Sequence, residues 1–237
     1  MSSDDSPVLV GCGHGTRDPA GRRALARLRL DVAALRPGLR VVAANVDVQK
    51  PALPDVVARL AAAGTRCVVV PLLLSAGYHV HTDVARAVAA SGGLAVAAGA
   101  LGPDDALVEV LLDRLRDKGF RPGSSPGRVV LVAAGSSDAR AVADVETVAG
   151  GLAARCGLPV TTAYLSAAEP KAADAVAAAR TAGGPVWVVS YLLSPGFFAD
   201  RLARLAGDGV VVTGPLAPHP LLAALALRRY DAAATTG

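Results

Sequence analysis

The chain has 237 residues, 52% hydrophobic, 19% charged and only 3% aromatic, which supplies a core of Ala, Val and Leu and argues against disorder. The net charge is only +4, lysine occurs only at positions 50, 118 and 171, and no basic run is interleaved with aromatics, which excludes a nucleic-acid-binding surface. Apolar runs such as 68–74 and 221–227 are far shorter than the roughly 20 residues of a membrane span.

In chain order, "VLVGC" (8–12) reads as a buried strand and 19–36 as a helix, with Pro19 near its start and Pro37 beyond its end. Strand 40–46 follows, then a helix from Pro51 to about residue 63. Strand 66–74 leads through a loop to a helix near 80–90, then strand 94–99 and a closing helix over 104–117. The stretch "KGFRPGSSPGR" (118–128) is rich in Gly, Pro and Ser, and residues 119–128 are expected to be a linker between lobes 1–118 and 129–237. After it come strands 129–135, 159–165, 186–193 and 209–214 with helices between them. Continuous apolar strands alternating with helices predict an α/β fold of parallel sheets covered on both faces.

The second half repeats the first. "GTRD" (15–18) matches "GSSD" (135–138) at an offset of 120, and "KPALPDVV" (50–57) matches "EPKAADAV" (169–176) at 119. "LLLSAGYHV" (72–80) matches "YLLSPGFFA" (191–199) at 119, and "LGPDDALV" (101–108) matches "LAPHPLLA" (216–223) at 115. Four collinear matches mark an internal duplication. The expectation is two tandem lobes with a large ligand held in a cleft between them.

A duplication turns differences into information. His14 aligns with Ala134 and His79 with Phe198, so both histidines belong to the first lobe alone. Each follows the C-terminal end of a predicted parallel strand, the edge where open α/β sheets place their ligands. Strands one and three are commonly neighbours, which would let the two loops face each other. Taken singly, either histidine reads equally well as a turn residue bonded to a backbone carbonyl. Two imidazoles can take up a proton near neutral pH or hold a divalent metal transiently.

Together, "GHGTRDPAG" (13–21), the helix start "PAL" (51–53) and "PLLLSAGYHVHTDV" (71–84) resemble the sirohydrochlorin chelatase family, the class II chelatases of sirohaem and cobalamin synthesis. The resemblance covers essentially the whole chain and implies a chelatase-like, flavodoxin-like fold in two lobes. It implies a lyase that inserts a divalent metal, Fe²⁺ or Co²⁺, into a polycarboxylate tetrapyrrole and releases two protons. The metal is a substrate, and no permanently bound cofactor is expected. Carried over, the metal-binding and catalytic residues fall on His14 and His79; His81 is not a motif position. Asp47 stands where family members often carry Glu, and Asp47 and Asp83 are candidates to orient an imidazole.

Gly13, Gly15, Arg17, Gly77, Tyr78, Phe197 and Phe198 are candidates to contact the macrocycle. The glycines would let backbone approach the flat ring, and arginine pairs bidentately with carboxylates. Lys50 and Arg86 lie beside the motifs and read equally as solvated surface charges; His219 reads as a helix-start residue. Two imidazoles bind iron and cobalt alike; iron is the expected metal because sirohaem demand is widespread, with cobalt insertion for cobalamin synthesis the alternative. The competing classes are a non-catalytic tetrapyrrole or metal carrier, and a phosphotransfer enzyme. Phosphohistidine loops usually place arginine directly before the histidine, and here that residue is Gly13. Cys12, Cys67 and Cys156 lack CxxC spacing and indicate reduced thiols. With an acidic N-terminus lacking the basic and apolar regions of a signal peptide, the expectation is a soluble cytoplasmic protein, monomer or homodimer.

Overall fold

Runs of Val with few polar interruptions cannot face water on either side, so each becomes the middle layer of a helix–sheet–helix sandwich. A computed structural model describes residues 6–75 and 80–235, and at 80 and 81 the backbone only. In the first half, β1 (Val8–Gly13), β2 (Val41–Asn45), β3 (Cys67–Pro71) and β4 (Ala95–Ala97) form a parallel sheet in the order β2-β1-β3-β4. Helices α1 (Pro19–Leu35), α2 (Leu53–Ala62) and α3 (Ala85–Ala89) connect the strands, α3 being preceded by a π-helical turn over Val80–Val84. The period of two along β1 divides the faces. Val8, Val10 and Cys12 pack with Leu53, Val56, Val57 and Leu60 of α2 and with Val84 and Ala87, whereas Gly11 and Gly13 look to α1.

The second half repeats this plan. After α4 (Asp105–Arg116), β5 (Arg128–Ala133), β6 (Val160–Tyr164), β7 (Val186–Tyr191) and β8 (Val210–Val212) form a parallel sheet in the order β6-β5-β7-β8. Its helices are α5 (Ala139–Cys156), α6 (Ala172–Thr181) and α7 (Phe197–Ala203), and α8 (Pro220–Ala234) ends the chain. His219 caps α8, its Nδ1 accepting the Leu221 N–H at 3.3 Å. Among the described residues no helix is long and apolar enough to cross a membrane.

The compact units are cut differently from the sequence repeat. One comprises Met1–Leu101 with Pro218–Gly237, the other Gly102–Ala217, so the closing helix of each repeat belongs to the other repeat's sheet. A boundary at 119–128 therefore separates the repeats but not the packed bodies. Guanidinium–carbonyl bonds tie the exchanged helices down. Arg229 of α8 donates to Ala100 O (2.8 Å) and Leu101 O (3.0 Å), and Arg114 of α4 donates to Pro215 O (2.9 Å) and Leu216 O (2.7 Å). The clamped pairs are related by the same offset of 115 that the sequence shows there. In the first unit, α8 is also held by the bidentate Arg36–Asp231 pair at 2.6 and 2.8 Å and by the Tyr230 hydroxyl donating to Pro7 O at 2.6 Å.

Candidate functional site

Parallel strands direct their loops to one edge, and in the first unit β1 and β2 stay zipped beyond their ends. Val46 N–H donates to Gly13 O at 3.0 Å and Asp47 N–H donates to His14 O at 2.9 Å. Leu72 N–H donates to Cys12 O at 2.7 Å, tying the exit of β3 to β1. Gly15 follows His14 at φ +101°, and a Cβ there would run into the Asp47 carbonyl, so only glycine lets the loops close. Asp18 then caps α1 by accepting the Gly21 N–H at 2.9 Å, while Arg22 Nε donates to Thr16 O at 2.9 Å. The result is a rigid backbone that presents the exposed His14 ring to solvent, with Nδ1 at 3.4 Å from Gly15 O.

The second unit builds the same device without the imidazole. Leu165 N–H donates to Ala133 O at 3.0 Å and Ser166 N–H to Ala134 O at 2.9 Å, and Gly135 at φ +96° abuts the Ser166 carbonyl. Even the unusual positive φ of Val48 (58°) recurs at Ala167 (52°). One scaffold thus occurs twice, with histidine at position 14 and alanine at position 134.

Other sequence candidates are placed unevenly. Arg17 and Arg86 are exposed, and Lys50 is engaged at 3.1 Å with Asp55. The exposed Asp47 turns its carboxylate onto its own loop, accepting the Val48 N–H at 2.7 Å. Asp83 is half-buried on the π-helical turn and near enough to β1 for its charge to act on the Cys12 thiol. Phe197 is 71% exposed; Phe198 packs on the second unit's core, with the two ring centroids 5.5 Å apart. Gly77, Tyr78 and His79 lie outside the described residues, as does the side chain of His81. Among the described residues no group of three or more His, Cys, Asp or Glu side chains gathers as a metal cage.

Two residues at this edge escape sequence reasoning. Arg29, on α1, sends its guanidinium beneath β1 and β2, and Asn45, only 1% exposed, holds Oδ1 without a hydrogen-bond partner. The available signal was the repeat itself, since Arg29 and Gly11 correspond to Ala149 and Leu131 at the offset of 120.

Cys12 is fully buried on β1. Burial is the main influence, pushing its thiol from 9.0 to about 12, with Arg29 pulling down and Asp83 pushing up. Burial also raises Cys67 and Cys156. An unfolded thiol loses its proton above pH 9 while native Cys12 keeps it to about 12, so the unfolded state binds fewer protons across that window and stability falls as pH rises. Urea unfolding is expected to show a lower midpoint at about pH 10 than at about pH 8, and Cys12→Ala to flatten that dependence.

The family model described as CbiX matches residues 8–118 and again 128–233, most of the chain in two copies. The chain belongs to the CbiX family. Its fold is similar to SirB from Bacillus subtilis with Fe³⁺, at a TM-score of 0.81 and 21% identity over 95% of this chain and 94% of that one. It is similar also to the sirohydrochlorin chelatase SirB from Bacillus subtilis subspecies spizizenii in complex with cobalt, at 0.80 and 22% over 98% and 96%. A third similar structure is CbiX, the terminal enzyme for biosynthesis of siroheme in denitrifying bacteria, at 0.69 and 21% over 95% and 98%. No curated protein matches the chain by sequence at a significant level. CbiX-family membership and these folds agree with the resemblance carried by the sequence motifs.

Proposed function

We propose that this protein is a cytoplasmic sirohydrochlorin chelatase that inserts Fe²⁺ into sirohydrochlorin, with His14 and His79 holding the metal and accepting protons. The observation that carries the reading is the duplicated loop that bears an imidazole in one CbiX-family repeat and alanine in the other. Insertion forms four metal–nitrogen bonds and releases two pyrrole N–H protons. An imidazole suits both tasks, because its neutral nitrogen can carry the incoming metal and then, vacated, take a proton. The exposure of His14 lets it pass that proton to bulk water. Arg17 and Arg86 supply charge for rim carboxylates, the glycines at 13, 15 and 77 leave room for a flat ring, and Tyr78, Phe197 and Phe198 offer aromatic contact. Asp47 and Asp83 are the candidate carboxylates to orient an imidazole.

The test is anaerobic absorbance of sirohydrochlorin with the protein and Fe²⁺, against protein-free controls and a parallel series with Co²⁺. Metal-dependent spectral conversion above the control supports a chelatase, and the ratio of the two rates identifies its metal. Binding without conversion refutes the activity and makes the protein a carrier. For the assignment within the loop, His79→Ala is expected to abolish conversion and His81→Ala to leave most of it. The reverse pattern would overturn the assignment.

A further inference from the structure

The histidine-bearing unit contains a second feature that its copy lacks. Arg29 lies half-buried across the α1 face of the sheet, with Nε donating to Gly11 O at 2.9 Å and Nη2 to Ala44 O at 3.2 Å. Those carbonyls sit on β1 and β2 just before the exits that carry His14 and Asp47. Two glycines make the space. A Cβ on Gly11 would come within 3.2 Å of Arg29 Cγ, and one on Gly13 within 3.4 Å of Asn45 Oδ1 and 3.5 Å of Arg29 Nη2.

In the second unit the same face is built from different residues. Leu131 and Ala133 replace the glycines, Ala149 replaces Arg29, and Tyr164 replaces Asn45. Tyr164 and Tyr191 flank Ala133 in register, and both are buried. There Thr162 Oγ1 donates to Glu146 Oε1 at 2.6 Å between β6 and α5, and Arg201 Nη1 donates to Leu165 O at 2.8 Å at the β6 exit, so this backbone is held without a guanidinium from α5 bridging β5 and β6. Burying a guanidinium instead costs solvation that carbonyl bonds only partly return. Among the described residues, a guanidinium that bridges the first two strands of its sheet occurs only in the unit that carries His14.

We infer that Arg29 is a positioning residue, holding the β1 and β2 exits in the register at which the His14 loop works. The inference rests on the chelatase reading for its consequence in turnover, but its structural content can be measured without turnover. Arg29 acts through backbone. It cross-links the two strands beneath the point where Val46 and Asp47 N–H groups close onto Gly13 and His14 carbonyls.

The experiment copies two of the second unit's replacements into the first, with Gly11→Leu and Arg29→Ala combined, and compares the variant with wild type and Arg29→Lys. Amide hydrogen exchange is followed at Val46 and Asp47, with Leu165 and Ser166 as internal controls, alongside global stability, kcat and KM for sirohydrochlorin. The expected result is a stably folded double variant whose Val46 and Asp47 amides exchange about tenfold faster while the controls are unchanged. Its kcat is expected to fall roughly tenfold or more with KM for sirohydrochlorin unchanged. A folded double variant with wild-type exchange and wild-type kcat overturns the inference. Should that variant not fold, Arg29→Lys decides, because one ammonium cannot reproduce the guanidinium fork to both carbonyls. Faster exchange at the two amides supports the role, and unchanged exchange refutes it. Faster exchange in a protein whose wild type inserts no metal would leave Arg29 as the clamp and remove the chelatase reading alone.

Discussion

Replacement of His14 by alanine is expected to cut metal insertion by about two to four orders of magnitude, the range for losing a positioned acid–base group. Folding stability is expected to change by less than about 0.5 kcal/mol, because the ring is exposed and the loop is held by backbone bonds at Gly13 O and His14 O that the substitution keeps. The second repeat is the natural control, since Ala134 occupies the equivalent loop and its zipper to Ser166 is intact. Steady-state insertion rates and a thermal melt on the same preparation check both halves of the statement. A variant that melts early would mean that His14 supports the turn, and one that retains full activity would remove it from the chemistry.

A large stability effect is expected at Gly15. Its φ of +101° is strained for any L side chain, and the added Cβ would collide with the Asp47 carbonyl, a backbone atom that cannot rotate away. Gly15→Ala is expected to cost about 3 kcal/mol, combining backbone strain with displacement of the β2 exit. Gly135→Ala meets the Ser166 carbonyl in the same way and is expected to cost a similar amount. The pair separates stability from function. Gly135→Ala should keep its activity per folded molecule, whereas Gly15→Ala should lose it because His14 and Asp47 move together. Urea titration of both variants with activity normalised to the folded fraction provides the measurement, and equal specific activities would contradict the loop geometry as the determinant.

Much of this architecture is legible from local pattern. The Val runs of β1, β3, β5 and β7 can only be strands buried on both faces, and the prolines at 19 and 51 mark helix starts close to those observed. Strand ends are read too long, as at 66–74, where the ladder stops at Pro71 although the apolar run continues into Leu72–Leu74. Apolar residues beyond a strand still seek the core, so hydropathy alone cannot mark where pairing ends.

The sequence by itself determined two parallel α/β repeats and a histidine at position 14 on only one of two equivalent loops, because periodicity and alignment of a chain with itself need no third dimension. Tertiary structure decided which sheet each closing helix covers. Helices α4 and α8 each bury an apolar stripe in the other repeat's unit, where Arg114 and Arg229 reach carbonyls about a hundred or more residues away in sequence. It also decided that Asp47 turns back on its own loop, and that Arg29 fills the space Gly11 and Gly13 leave. A guanidinium on an amphipathic helix reads as surface in one dimension; only folding shows that two strand carbonyls lie within its reach.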